Sequence, residues 1–112
     1  MKKINRIRRA EEFQGLIEKK KSDLNKYFVI YHQAKSEDHA RVGISVGKKL
    51  ANAVYRNKTK RQIRMMMQTI FEDSYSFDAI VIVRYKYFTE DYETNLKQLQ
   101  ELFKQIEKRR YN

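Results

Sequence analysis

Ala79-Ile80-Val81-Ile82-Val83 is an unbroken run of small and branched apolar residues, closed off by Asp78 on one side and Arg84 on the other. A half-exposed strand would alternate with polar residues, so this run predicts a strand buried on both faces and central in its sheet. Upstream, Tyr27-Phe28-Val29-Ile30-Tyr31 is β-branched and aromatic, and Arg41-Val42-Gly43-Ile44-Ser45-Val46 alternates small or polar with branched apolar residues. Both predict strands, with the polar stretch Lys35 to His39 as their turn.

Helices are expected to cover this sheet. Phe13, Leu16, Ile17 and Lys20 have i, i+3, i+4, i+7 spacing, which predicts a short helix from about Ala10 to Lys20, weakened by Gly15. From about Asn52 to Phe71 the spacing of Ile63, Met66 and Ile70 predicts a longer helix. Thr89 is the expected cap of a last helix with Glu90 and Asp91 in its first turn and Tyr92, Leu96, Leu99, Phe103 and Ile106 as its apolar stripe. The predicted order is αββαβα, an α+β fold built as one two-layer αβ sandwich. With no Pro, three Gly and no internal repeat, residues 1–112 are expected to be a single domain.

The formal charge is +11, and it is unevenly spread: Arg41 to Phe71 holds eight basic residues and no Asp or Glu. A polyphosphate is the commoner partner of a compact basic domain, although a membrane surface, an acidic protein or a plain solvated face are alternatives. No apolar run is long enough to cross a bilayer, and the charged N-terminus has no apolar stretch behind it, so a secretory signal is not expected. The absence of Cys excludes disulfides and thiolate metal sites and fits a reducing cytoplasm.

Around the predicted 52–71 helix, Thr59, Ile63, Met66 and Ile70 share one narrow arc, while Asn57, Lys58, Lys60, Arg61 and Arg64 fan over the opposite side. Arginine's planar donor fork suits phosphate and guanine edges, lysine supplies point charge, and Asn57 can face a ribose, a base or a hydrated metal. An ordinary solvated face mixes signs; this one has no acid, which favours RNA.

The run Asn52-Ala53-Val54-Tyr55-Arg56-Asn57-Lys58-Thr59-Lys60-Arg61-Gln62-Ile63-Arg64 resembles the RNR signature of the bacterial ribonuclease P protein family, R-N-x-x-K-R-x-x-R. It follows Arg41-Val42-Gly43-Ile44-Ser45-Val46-Gly47-Lys48-Lys49, as in that family, and the likeness extends to Asn5-Arg6-Ile7-Arg8, Glu11-Glu12-Phe13 and Phe28-Val29-Ile30-Tyr31. The resemblance implies a ribosomal-protein-like αβ fold with a left-handed βαβ crossover, an exception to the usual hand. It also implies two RNA surfaces. Lys48, Lys49, Arg56, Asn57, Lys58, Lys60, Arg61 and Arg64 are the expected contacts to a catalytic RNA subunit. Phe13, Ile17, Tyr27 and Tyr31 are the expected lining of a cleft for the single-stranded 5′ leader of precursor tRNA. The sequence departs from the family pattern where Ile17 stands for a second helix aromatic and Gly47 for a Ser after the second strand.

Protein nucleases hold metal with several carboxylates or combine His with acids near a cationic groove. The basic segment has none of these, and His32 and His39, at a strand end and in a polar turn, are expected to be surface or edge residues. No catalytic residue is therefore assigned to the chain. The resemblance places catalytic Mg²⁺ mainly on the RNA subunit, without an organic cofactor. The implied partners are that RNA and precursor tRNA, with no membrane and no obligate protein partner, in the cytoplasm. A ribosomal protein would share the charge but lack the RNR run beside an aromatic cleft. A DNA-binding regulator would need another helix close before its recognition helix, and a standalone nuclease would need the missing carboxylates.

Overall fold

The computed structural model describes residues 2–71 and 75–111. Among them, β1 (Ser22–Leu24), β2 (Phe28–Ala34), β3 (Val42–Ser45) and β4 (Phe77–Val83) form one sheet in the order β1-β2-β4-β3. β4 is interior, as its apolar run predicts. It pairs antiparallel with β2 from Phe28↔Val83 to Ala34↔Phe77, and parallel with β3 from Val42↔Ala79 to Ser45↔Ile82. The helices are α1 (Ala10–Glu18), α2 (Ala53–Ile70) and α3 (Tyr92–Ile106).

Alternation along β4 sends Phe77, Ala79, Val81 and Val83 to one side of the sheet and Ile80 and Ile82 to the other. The first side meets Ile63, Met66, Met67 and Ile70 of α2 and Leu99, Leu102, Phe103 and Ile106 of α3 in the main core. The second meets Leu16 of α1 and Ile7. Helices therefore lie on both faces, and the expected two-layer sandwich is corrected: α1 adds a partial third layer. A strand buried on both faces requires this, because a single helical layer would leave Ile80 in water.

Other expectations are also revised. β2 and β3 are not neighbours, because β4 lies between them, so Lys35 to His39 is a connection and not a hairpin turn. β1 was not predicted: Ser22-Asp23-Leu24 has no apolar pattern and is held by pairing with β2. α1 ends at Glu18, with Lys20 in the left-handed region at φ 58°. The cap of α3 is Asp91, whose carboxylate accepts from the Thr94 amide at 2.9 Å, whereas the Thr89 hydroxyl donates to the Lys86 carbonyl. A carboxylate at that position also complements the helix dipole, and the bond holds it below the usual Asp range. Asn52 caps α2 in the same way, accepting from Tyr55 at 3.0 Å.

His32 departs most from expectation. It is fully buried, with Nε2 at 2.8 Å from Asp23 Oδ2 and Nδ1 at 2.7 Å from the Tyr111 hydroxyl. Period-two alternation puts it with Phe28 and Ile30 on the main-core face, where an imidazole needs a polar partner at each nitrogen. His39 is half-buried in the connection after β2.

Candidate nucleic-acid interface

The inward face of α2 is as predicted. Thr59, Ile63, Met66 and Ile70 are buried, with Met67 beside them, and the Thr59 hydroxyl donates to the Tyr55 carbonyl at 2.8 Å. Anchoring that face fixes the direction of the other. Asn57, Lys58 and Arg61 are exposed; Arg56, Lys60 and Arg64 are half-buried. Arg56 donates to the Ala51 carbonyl at 3.0 Å, which steadies the entry to the helix. Lys48 and Lys49 are exposed in the turn before it, closed by the Leu50 amide donating to Gly47.

Two cations that were not among the predicted site residues join this surface. The Ile7 amide donates to the Val42 carbonyl at 3.0 Å, Arg6 bridges to Val42, and the buried Asn5 side chain donates to Ala40. The N-terminal segment thus runs along the free edge of β3. Arg6 and Arg8 come to line, with Lys60 and Arg64, a pocket of about 230 Å³ floored by Phe13 and Gly43. Burial, then the positive fields of Arg6 and Arg61, push the Arg64 guanidinium below its ordinary range. Among the described residues these cations have no acid paired to them, so they repel one another and a bound polyanion would stabilise the arrangement. The Asn5-Arg6-Ile7-Arg8 run carried this signal only as part of the family likeness; its pairing with β3 is a long-range contact that local periodicity does not report.

The second surface lies over the α1 face of the sheet. α1 is tethered by Arg41, whose guanidinium is 2.6 Å from Glu12 and 3.5 Å from the buried Asp78. Burial raises the Asp78 carboxyl, and hydrogen bonds and charge from Arg41 oppose the rise. Phe13 lies directly on Gly43: a Cβ there would sit 2.6 Å from the ring's Cζ, so glycine is what lets the ring reach the strand. Phe13, Ile17, Tyr31 and Ile82 are half-buried around Ile7, Leu16 and Ile80. Phe13 and Ile17 also line an open groove of about 470 Å³ with Ala10, Gln14, Glu18 and Ser45.

Three of the four predicted cleft residues, Phe13, Ile17 and Tyr31, are thus brought together. Tyr27 is not. It lies in the bend before β2, where Asn25 Oδ1 accepts from the Tyr27 and Phe28 amides, and it packs against the main core. Strand alternation does not extend into that bend, which is why counting back from Tyr31 misplaced it. Arg84, just past the end of β4, is exposed and donates to the Asn25 carbonyl at 2.6 Å.

An acid-free helix face beside an aromatic groove defines a nucleic-acid-binding αβ domain. A family model described as Ribonuclease P matches residues 1–107. The ribonuclease P protein component of Streptococcus pyogenes serotype M5 (strain Manfredo) is 49% identical over 84 residues, 75% of this chain and 71% of that one. The solved Staphylococcus aureus RNase P protein superposes with a TM-score of 0.77 at 37% identity, covering 89% of this chain and 93% of that one. The Thermotoga maritima RNase P protein gives 0.77 at 31% identity, covering 90% and 96%. The chain belongs to the bacterial ribonuclease P protein family: it is the non-catalytic protein subunit of a ribonucleoprotein nuclease, acting with the RNA subunit on precursor tRNA.

Proposed function

We propose that the two surfaces divide the RNA between them. Lys48, Lys49, Arg56, Asn57, Lys58, Lys60, Arg61 and Arg64 dock on the catalytic RNA, with Arg6 and Arg8 extending that contact. The half-buried ring of Phe13, with Ile17 and Tyr31, holds unpaired leader nucleotides, and Tyr27 supports the bend at the start of β2. The observation that carries this reading is the crowding of Arg6, Arg61 and Arg64 with no acid on the outward face of α2. Positive charge there offsets phosphate repulsion between the leader and the catalytic RNA, while rings on the neighbouring face stack on bases of any sequence.

The reaction is hydrolysis of one phosphodiester, freeing the 5′ leader, and Mg²⁺ held mainly by the RNA subunit supplies its electrophilic chemistry. Among the described residues no three His, Asp or Glu side chains converge on one point. Residues 1–112 act as one domain in the cytoplasm; among the described residues no helix is long and apolar enough to cross a membrane. The parallel β3-α2-β4 unit is read as the left-handed crossover of a ribosomal-protein-like fold.

The chain has no Cys, so a single introduced thiol can carry a photoreactive group. In the assembled enzyme, a label at Lys58→Cys should crosslink the catalytic RNA, and one at Gln14→Cys the leader of precursor tRNA. Exchanged targets, or one RNA captured from both positions, would overturn the division.

A further inference from the structure

The far edge of the sheet, beyond β1, carries a different group of cations. After α1 ends, Lys19, Lys20 and Lys21 are all exposed, and the left-handed Lys20 turns the chain into β1. The π-helical turn Glu107–Tyr111 brings Arg110 and Tyr111 to the same edge, with Lys108 and Arg109 exposed just before them. Arg110 donates to both carboxylate oxygens of Asp23, at 3.1 and 3.3 Å. Lys21 Nζ sits 4.7 Å from the centre of the Tyr111 ring, which stacks on Phe77 at 5.2 Å. Two distant segments are therefore fastened together. Of the nearby acids, Asp23 is paired with Arg110, while Glu107 accepts from Ser76 and Glu18 from Gln14, both neutral donors. Among the described residues Lys19, Lys20, Lys108 and Arg109 have no ion pair.

This edge adjoins the α1 face of the sheet at Tyr31, while Lys19 also lines a separate pocket with Glu12, Gln33 and Arg41 on the flank of α1 away from the groove. Tyr31 pairs with Ser22, the residue after Lys21, and the His32 amide donates to the Lys21 carbonyl at 3.0 Å. On the division proposed above, with the catalytic RNA on α2 at the β3 side, leader nucleotides next to the scissile bond would enter the groove there. Upstream nucleotides would then leave across β1, three strand spacings or about 14 Å away. We propose that Lys19, Lys20, Lys21, Lys108, Arg109 and Arg110 form a third RNA surface, which holds the phosphates of leader nucleotides upstream of the groove. This rests on the groove being the leader site.

The test uses reconstituted enzyme and precursor tRNAs with leaders of about 4 and about 16 nucleotides, bracketing common single-strand site sizes. Wild type should bind the long-leader substrate more tightly, by a margin that shrinks as salt rises. Lys20→Glu with Arg109→Glu, which leaves the Arg110–Asp23 and Lys21–Tyr111 contacts in place, should weaken long-leader binding about tenfold at low salt and spare the short leader. The milder pair Lys20→Gln with Arg109→Gln should give an intermediate loss, guarding against a folding defect. Equal losses for both leaders, no loss for either, or weaker binding of catalytic RNA without substrate would each overturn the proposal. Tyr31→Ala, measured alongside, reports on the groove itself through loss on both leaders. If it has no effect the groove reading fails, and the difference between long and short leaders still decides the fate of this edge.

Discussion

On β4, Phe77, Ala79, Val81 and Val83 point into a core sealed by α2 and α3, whereas Ile80 and Ile82 point toward α1, a nine-residue helix that covers only part of the opposite face. Ile80 is fully buried under α1, but Ile82, one step along the strand, is half-exposed. One strand thus serves a dry interior on one side and an open groove on the other. The sealed side supplies rigidity; the side left partly uncovered supplies the apolar and aromatic surface that unpaired bases can use.

The largest expected difference between the faces is in stability. Ile63→Ala removes a fully buried side chain and should destabilise the fold by about 2–5 kcal/mol in urea unfolding. Ile82→Ala, which water already reaches, should cost about 1 kcal/mol. Similar costs at both positions would mean that the groove face is as well packed as the core.

Function should reverse that ranking. Tyr31→Ala should weaken binding of precursor tRNA to the assembled enzyme by about 5- to 150-fold, the value of one lost stack, while mature tRNA, which lacks the leader, is nearly unaffected. Equal losses for the two RNAs would show that Tyr31 does not read the leader.

How much of this was legible before the fold was known depends on the range of the contact. The central position of β4, the two sides of α2 and the pairing of Phe13 with Ile17 follow from periodicity alone, because each is a property of one element. Tyr31 was also placed correctly, by alternation within a regular strand. What was missed depends on partners far along the chain. β1 exists because β2 offers it an edge, Arg6 and Arg8 reach α2 because their segment pairs with β3, and His32 is buried because Asp23 and Tyr111 satisfy it. Tyr27 was misplaced because alternation was carried one residue into a bend.

A smaller effect is expected from the charged side of α2. Arg61→Glu with Arg64→Glu should weaken assembly with the catalytic RNA by about tenfold at moderate salt and reduce the log-log salt slope by about two, with the far-UV spectrum unchanged. Both side chains project away from Ile63 and Met66, so the fold does not depend on them. An unchanged slope would place the RNA elsewhere.

The smallest effect concerns the edge where the core face of the sheet meets solvent, and it appears only on acidification. His32 is faced by Asp23 on β1, Lys21 just before it, Arg110 and Tyr111 on the C-terminal turn, and the Phe77 ring on β4. Burial pushes its imidazole below the ordinary His range, and Asp23 only partly counters this. A neutral ring can donate from Nε2 to the Asp23 carboxylate and accept from the Tyr111 hydroxyl at Nδ1, so both nitrogens are satisfied without a proton being added. Because the folded state resists protonation more than the unfolded chain, His32 contributes full stability above its unfolded pKa, near 6.5. That contribution falls as pH drops from there through the lower folded value. Asp23 acts in the same direction at lower pH: its burial is outweighed by Arg110 and His32, its carboxyl is held below the usual Asp range, and its contribution is lost as pH falls through that lowered value. Urea unfolding between pH 7 and 5 should therefore show stability declining with acid in the wild type and a shallower decline in His32→Gln, even though the variant is less stable throughout. Identical slopes would mean that the buried imidazole does not titrate with folding, and that the contacts among Asp23, His32 and Tyr111 secure the C-terminal turn independently of pH.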